Sequence, residues 1–199
     1  MDIILMRHTE VEFSPDRYLG SMNVSLSDKG RKHAVEMSKK LENRGITAIY
    51  SSALKRTIQT ADIISKRLGV EVKGNLPQLN EVDFGVIEGL TREEAEEKYP
   101  EVMGSRDKNR LTFKVPGGES GEEAAKRALP VLQKIAEQNN GNVLVVLHGF
   151  LMRVIMCKLS GIPIKELYKK YNFYYGCRVV LGYDSGSLSF KEFIEEVGA

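Results

Sequence analysis

Three histidines occur in the 199 residues, and two of them directly follow short apolar runs. His8 comes after Ile3-Ile4-Leu5-Met6 and Arg7, and His148 comes after Val143 to Leu147. Runs of this length bounded by polar residues read as buried strands. Both imidazoles therefore fall at the carboxyl edge of a sheet, where α/β proteins bind ligands. Arg7 adjoins His8, and Arg56 lies just inside the helix that follows Ser51-Ser52, at another strand end. Two imidazoles and two guanidiniums on one edge suit a tetrahedral dianion. A guanidinium fork matches phosphate oxygens two at a time and stays charged at any working pH. The amino end of the helix carrying Arg56 adds a positive dipole. A neutral imidazole is also a competent nucleophile toward phosphorus.

Transfer of a phosphoryl group from an ester also needs an acid for the leaving oxygen. Glu81 and Asp83 are the two candidates, in the segment Leu79-Asn80-Glu81-Val82-Asp83-Phe84-Gly85. Apolar neighbours can keep a carboxyl group protonated near neutrality. The spacing does not choose between them. The third histidine, His33, sits amid polar residues and is expected on a helix surface. Rival chemistry is absent: there is no GxxxxGK[ST] loop, no GxSxG elbow and no HExxH pair. Gly117-Gly118-Glu119-Ser120 has the wrong spacing for a phosphate loop and leads into a helix. Few histidines and no clustered carboxylates beside them predict neither a metal site nor a bound cofactor.

The elements that must position these groups alternate along the chain. After the first strand, residues 9–26 lack periodicity and read as a long loop, a length associated with function. A helix is expected from Ser27 or Asp28 to Arg44, with Ala34, Met37 and Leu41 inward and Gly45 as its stop. A strand at Ile46–Tyr50 precedes a helix over Ala53–Leu68, closed by Gly69, and a short strand at Val70–Lys73. Residues 75–90 read as loop. Thr91 and Glu94 form a capping box for a short helix that Pro100 stops, and Ser120 and Glu123 form another for a helix to Gln138, kinked at Pro130. Residues 104–119 read as irregular, and the segment 75–120 as a small cap within a single domain spanning 1–199. A strand at Val143–Leu147, a helix at Gly149–Leu159 and strands at Val179–Tyr183 and Leu188–Phe190 complete the pattern. This order predicts an α/β protein with a mostly parallel sheet and helices on both faces.

Composition narrows the setting. The net charge is +2 from 29 basic and 27 acidic residues, which gives no electrostatic footprint for nucleic acid or an anionic membrane. The start, Met1-Asp2-Ile3-Ile4-Leu5, has no signal-peptide pattern, and no stretch approaches the ~20 apolar residues of a membrane span. Cys157 and Cys177 form no CxxC pair, so a reduced, cytoplasmic protein is expected.

Taken together, the motifs resemble the histidine phosphatase superfamily, the phosphoglycerate mutase-like proteins of branch one. Leu5-Met6-Arg7-His8 is similar to the family's Arg-His-Gly signature. Leu26-Ser27-Asp28-Lys29-Gly30 resembles the element before its first helix, and Ser51-Ser52 through Arg56-Thr57 to Thr60-Ala61 resembles its second. Leu79 to Gly89, Gly117-Gly118-Glu119-Ser120 and Leu147-His148-Gly149 to Arg153 resemble its later motifs. The resemblance implies a three-layer α/β/α sandwich with a mixed sheet. It implies that His8 is the phosphorylated nucleophile, that Arg7, Arg56 and His148 form the phosphate pocket, and that Glu81 is the proton donor. Ser14 and Gly149 join the substrate-binding set.

Four positions depart from the family pattern: Thr9 for a glycine, Ser14 for an asparagine, Leu147 for a hydroxyl residue and Phe150 for a small one. A Cβ at 9 threatens to crowd the phosphate. Loss of the hydroxyl before His148 removes a hydrogen bond. The implied activity is hydrolysis of a small phosphorylated metabolite by a monomer or homodimer. The alternatives are a cofactor-dependent phosphoglycerate mutase and a weakly active phospholigand-binding protein. Small members of the family include α-ribazole phosphatases and fructose-bisphosphatase-like enzymes. The aromatic stretch Tyr168, Tyr171, Phe173, Tyr174 and Tyr175 reads as C-terminal packing, with a pocket wall or a dimer contact as the sharper alternative.

Overall fold

The computed structural model describes residues 1–13 and 16–196. Six strands form one mixed sheet in the order β3-β2-β4-β1-β5-β6. They are β1 (Asp2–Arg7), β2 (Ile46–Ser52), β3 (Val72–Leu76), β4 (Asn142–Leu147), β5 (Arg178–Asp184) and β6 (Ser187–Ile194). β3, β2, β4 and β1 run parallel, and β5 and β6 continue the sheet antiparallel.

The central strands read as continuous apolar runs because both faces are covered. Ile3 and Leu5 of β1 and Val143, Val145 and Leu147 of β4 point to one face, against α5 (Gly121–Glu137) and α6 (Gly149–Ser160). Ile4, Met6, Leu144 and Val146 point to the other, against α1 (Asp28–Leu41) and α2 (Lys55–Leu68). Strand alternation thus converts one hydrophobic run into two cores, and three layers result. Among the described residues, no helix is long and apolar enough to cross a membrane.

Local signals explain most boundaries. Ser27 caps α1, its hydroxyl accepting from the Gly30 amide at 2.9 Å. Both expected capping boxes form, Thr91–Glu94 at α3 (Arg92–Lys98) and Ser120–Glu123 at α5. Gly69 ends α2 in the left-handed region.

Several expectations need correction. α3 stops before Pro100 as expected, but Pro100 then takes the first position of α4 (Pro100–Lys108), where its missing N–H is harmless. Part of the segment expected to be irregular is therefore helix. The third strand lies at 72–76 rather than 70–73, and a short helix α7 (Ile164–Lys170) was not anticipated. His33 is buried, at 6 % exposure, because Gly30, His33 and Met37 share one face of α1.

Candidate active site

The two imidazoles meet because their strands are in register. β1 and β4 pair in parallel from Ile3 with Val143 to Arg7 with Leu147, so His8 and His148 leave the sheet at one rung. The His8 amide donates to the Leu147 carbonyl at 3.0 Å, and the two rings lie edge to face, 5.4 Å apart. Ser52 of β2, one step beyond the pairing of Ser51 with Val146, stands level with Leu147 and Arg7, one rung before the two histidines.

His8 is buried. Its Nδ1 lies 2.8 Å from the Thr9 carbonyl, an acceptor, so Nδ1 carries the proton and Nε2 keeps its lone pair. Burial first, then the Arg56 and Arg7 charges, hold its pKa well below the usual histidine value. The ring is neutral near pH 7, as a nucleophile must be. Thr9 turns its hydroxyl toward α2. It is fully buried, with its hydroxyl 3.4 Å from that of Thr60 on α2.

His148 is also buried, and both its nitrogens are engaged. Arg56 Nε donates to Nδ1 at 3.2 Å, and Nε2 lies 2.7 Å from the Ser52 hydroxyl. A guanidinium N–H can only donate, so Nδ1 accepts and Nε2–H donates to Ser52. The chain continues from Ser52 to Thr57 at 2.6 Å and from Thr57 to the Leu54 carbonyl at 2.7 Å. Burial first, then Arg56 and His8, depress the pKa of His148 well below its usual value. Leu147 itself packs in the core.

The two guanidiniums are fixed differently. Arg56 donates from Nη1 to Met22 O at 2.6 Å and from Nη2 to Gly20 O at 2.7 Å, so the loop of residues 16–26 drapes over it. Burial lowers its pKa to about 10, against the opposing charge of Glu81; it remains a cation at neutral pH. Arg7 donates from Nη1 to the Phe173 carbonyl, and its Nε is buried with no hydrogen-bond partner. A Cβ on Gly149 would come within 3.2 Å of that Nε, so glycine lets α6 begin against Arg7.

Geometry separates the two carboxylate candidates. Glu81 lines the cleft; Asp83 does not, and instead accepts from the Gly85 amide at 2.8 Å. Glu81 accepts from Val82 N at 2.9 Å, Leu151 N at 2.8 Å and Phe150 N at 3.0 Å. The last two amides belong to the first turn of α6, whose N-cap His148 supplies no side-chain bond of its own. Glu81 therefore sits on the positive end of α6 rather than among apolar groups.

Arg7, His8, Arg56, Glu81 and Gly149 open into a cleft of about 240 Å³ that is also lined by Arg17, Arg106, Arg153, Tyr18, Phe84, Phe150, Tyr168 and Tyr175. His148, expected in the phosphate pocket, does not line it, because Arg56 and Ser52 take its two ring nitrogens. Phe150 thus forms wall, packing on Phe84 with ring centroids 5.7 Å apart. Arg17 is bound to Glu94 at 2.7 Å. Arg106 is buried, its guanidinium carbon 4.9 Å from the Tyr18 ring and its nearest carboxylate, Asp107, 4.0 Å away. Arg153 is clasped between Tyr168 and Phe173, at 4.1 and 4.3 Å, makes no ion pair among the described residues, and has an unpartnered Nε. Sequence reading missed Arg106, Arg153 and Ser52 as site residues, whereas Tyr168 and Tyr175 take the pocket-wall place that was the alternative reading of the aromatic stretch. Arg153 had a signal: it lies one helical turn beyond Gly149. Ser14 falls outside the described residues.

The model of the histidine phosphatase superfamily (branch 1) matches residues 3–195. The chain is 34% identical over 189 residues to rat 6-phosphofructo-2-kinase/fructose-2,6-bisphosphatase 1, covering 89% of this chain but only 38% of that protein. It is 33% identical to phosphoserine phosphatase 1 of Hydrogenobacter thermophilus, covering 88% of this chain and 81% of that one. Mycobacterial glucosyl-3-phosphoglycerate phosphatase superposes with a TM-score of 0.82 at 25% identity, covering 96% of this chain and 95% of the other. A match running from the first strand to the end of the last leaves one assignment: the chain belongs to the histidine phosphatase superfamily, branch 1.

Proposed function

We propose that this protein hydrolyses phosphomonoesters through a phosphohistidine at His8, without a metal. The observation that carries the reading is the neutral, buried His8, whose Nδ1–H is held by Thr9 O and whose Nε2 is left to the cationic cleft. In the first step Nε2 forms a bond to phosphorus while the bond to the ester oxygen breaks in line. Arg7 and Arg56 stabilise the equatorial oxygens, with His148 orienting Arg56. Glu81 delivers a proton to the leaving oxygen. In the second step water attacks phosphorus, Glu81 takes its proton, the P–N bond breaks and inorganic phosphate leaves. Such acid–base help is worth about 10² to 10⁴ in rate.

The substrate we propose is a small phosphorylated metabolite with a second anionic group. Arg106, which is buried, and Arg153, which is half-buried, support this: each presents a guanidinium on the cleft wall that no carboxylate neutralises at close range. The relatives' names fit, since a fructose bisphosphate, phosphoserine and a glucosyl phosphoglycerate each carry a second acidic group. Phe84 and Arg106 come from the segment 75–120, which we read as a cap over the site. The unpaired thiols of Cys157 and Cys177 support a reducing, cytoplasmic setting. We read the protein as acting on small molecules, not on nucleic acid or membranes, as a monomer or homodimer.

The test is turnover of p-nitrophenyl phosphate by wild type and His8→Ala, with and without EDTA, and a rapid acid-labile phosphate trap. Wild type should turn over in EDTA and carry label at His8, and the variant should do neither. Activity that EDTA abolishes, or that survives His8→Ala, sinks the reading.

A further inference from the structure

The aromatic stretch near the C-terminus divides by what each ring touches. Tyr171 and Phe173 pack on Phe193, at 4.7 and 4.8 Å between centroids. Tyr174 is exposed. Tyr175 alone meets the phosphate-facing groups. Its ring lies 4.3 Å from the guanidinium carbon of Arg7 and 5.6 Å from the His8 ring.

The whole turn wraps Arg7. The Arg7 amide donates to Cys177 O at 3.0 Å, and the Gly176 amide donates to Arg7 O at 3.2 Å. The Phe173 carbonyl accepts from Nη1. Gly176 has φ +78°, and a Cβ there would lie 2.6 Å from Met37 Sδ and 3.0 Å from His33 Cε1. Glycine seats the turn on α1, and the seated turn puts residue 175 over the sheet edge. Burial raises the phenol pKa against the pull of Arg7, so the ring is a neutral face and not a phenolate partner.

We infer that Tyr175 is a positioning residue for the phosphate pocket: its ring face pins the Arg7 guanidinium and walls one side of His8. An arginine side chain has four torsions, and one carbonyl contact at Nη1 leaves its plane free to turn. A ring stacked on the guanidinium fixes that plane, so Nε and the remaining N–H groups are already aimed when a phosphoryl group arrives. The ring face does this and the hydroxyl does not enter. The inference rests on the proposed phosphatase reading for its catalytic consequence, but the geometry of Arg7 can be tested by binding alone.

The experiment compares wild type, Tyr175→Phe and Tyr175→Leu for kcat and KM on p-nitrophenyl phosphate, and for affinity toward inorganic phosphate by calorimetry. Phenylalanine should stay within about twofold of wild type, whereas leucine should weaken phosphate binding and lower kcat/KM by about 5- to 10-fold. Should the leucine variant fail to fold, Tyr175→Met carries the same comparison. Leucine or methionine matching wild type in phosphate affinity and kcat/KM overturns the inference. So does phenylalanine losing as much as leucine, which would move the role to the hydroxyl. A wild type that hydrolyses nothing, yet loses phosphate affinity only when the ring is removed, sinks the phosphatase reading and supports this one.

Discussion

Ser52 holds His148 in one tautomer: its hydroxyl lies 2.7 Å from Nε2 and, through Thr57, ends on a backbone carbonyl. Nδ1 is thereby kept as the acceptor that orients Arg56. Ser52→Ala leaves a buried N–H without an acceptor, which costs about 1–3 kcal/mol. The ring is also released to the other tautomer, which turns an N–H against Arg56. We expect that loss in urea unfolding, a drop in kcat/KM of about tenfold or more, and altered ¹⁵N shifts of the His148 ring. A ring spectrum identical to wild type would mean that Ser52 does not set the tautomer.

Stability should fall as the pH drops below about 6.5. All three histidines have lowered pKa values, each chiefly from burial, with His33 partly offset by Glu36 and Glu196. The sign follows from the unfolded chain, which takes up protons near pH 6.5 while the folded chain does not. Each histidine then contributes a slope of up to about 1.4 kcal/mol per pH unit, until its folded-state pKa is reached. Urea midpoints at pH 7.5, 6.5 and 5.5 measure this, and His33→Gln should flatten the slope. A midpoint that does not move between pH 6.5 and 5.5 contradicts it.

Arg106 and Arg153 should discriminate between substrates rather than drive chemistry. 3-Phosphoglycerate and glycerol 3-phosphate differ by a carboxylate, and a charge-assisted bond worth about 1.5–3 kcal/mol separates them by roughly 10- to 100-fold. Wild type should prefer the acid by that factor. Arg106→Met and Arg153→Met should erase most of the preference and leave p-nitrophenyl phosphate nearly unaffected. Equal losses on all three substrates would assign these arginines to folding.

Glu81 depends on a backbone contact far from its own side chain. A Cβ on Gly118 would lie 2.3 Å from Asp83 O, and one on Gly85 would lie 2.2 Å from Pro116 O. Gly118→Ala must push the 81–85 segment off its seat, lowering both stability, by about 2 kcal/mol or more, and kcat. Gly104→Ala is the contrast, with open space around it in α4. It should stabilise by about 0.5–1 kcal/mol through helix propensity. Thermal melts of the two variants read the difference, and a Gly118→Ala melt at or above wild type would refute the contact.

The inner strands and their histidines were legible in the sequence because a strand buried on both faces leaves an unbroken apolar run. His8 and His148 were placed by that signal alone. Arg106 was not, because Pro100 is compatible with both the end of one helix and the start of the next, and only tertiary packing chose the second. His33 was misplaced because Lys32 and its charged neighbours mask a face that is nevertheless inward. The pairing of Ser52 with His148 depends on three-strand register, which no local pattern encodes. Glu81 was separable from Asp83 only once α6 had been placed, since its partners are amides of Phe150 and Leu151.

β1, which carries His8, is made well before the strands that flank it in the sheet. β1 lies between β4 and β5, which begin at Asn142 and Arg178. During vectorial synthesis the ribosome releases His8 long before either flank exists, so the early chain carries an apolar strand with two unpaired edges. Pairings of such sequence separation close slowly. The nascent chain therefore faces its greatest exposure to mispairing in the interval before residue 178 emerges, and a chaperone that shields Ile3 to Met6 would act there.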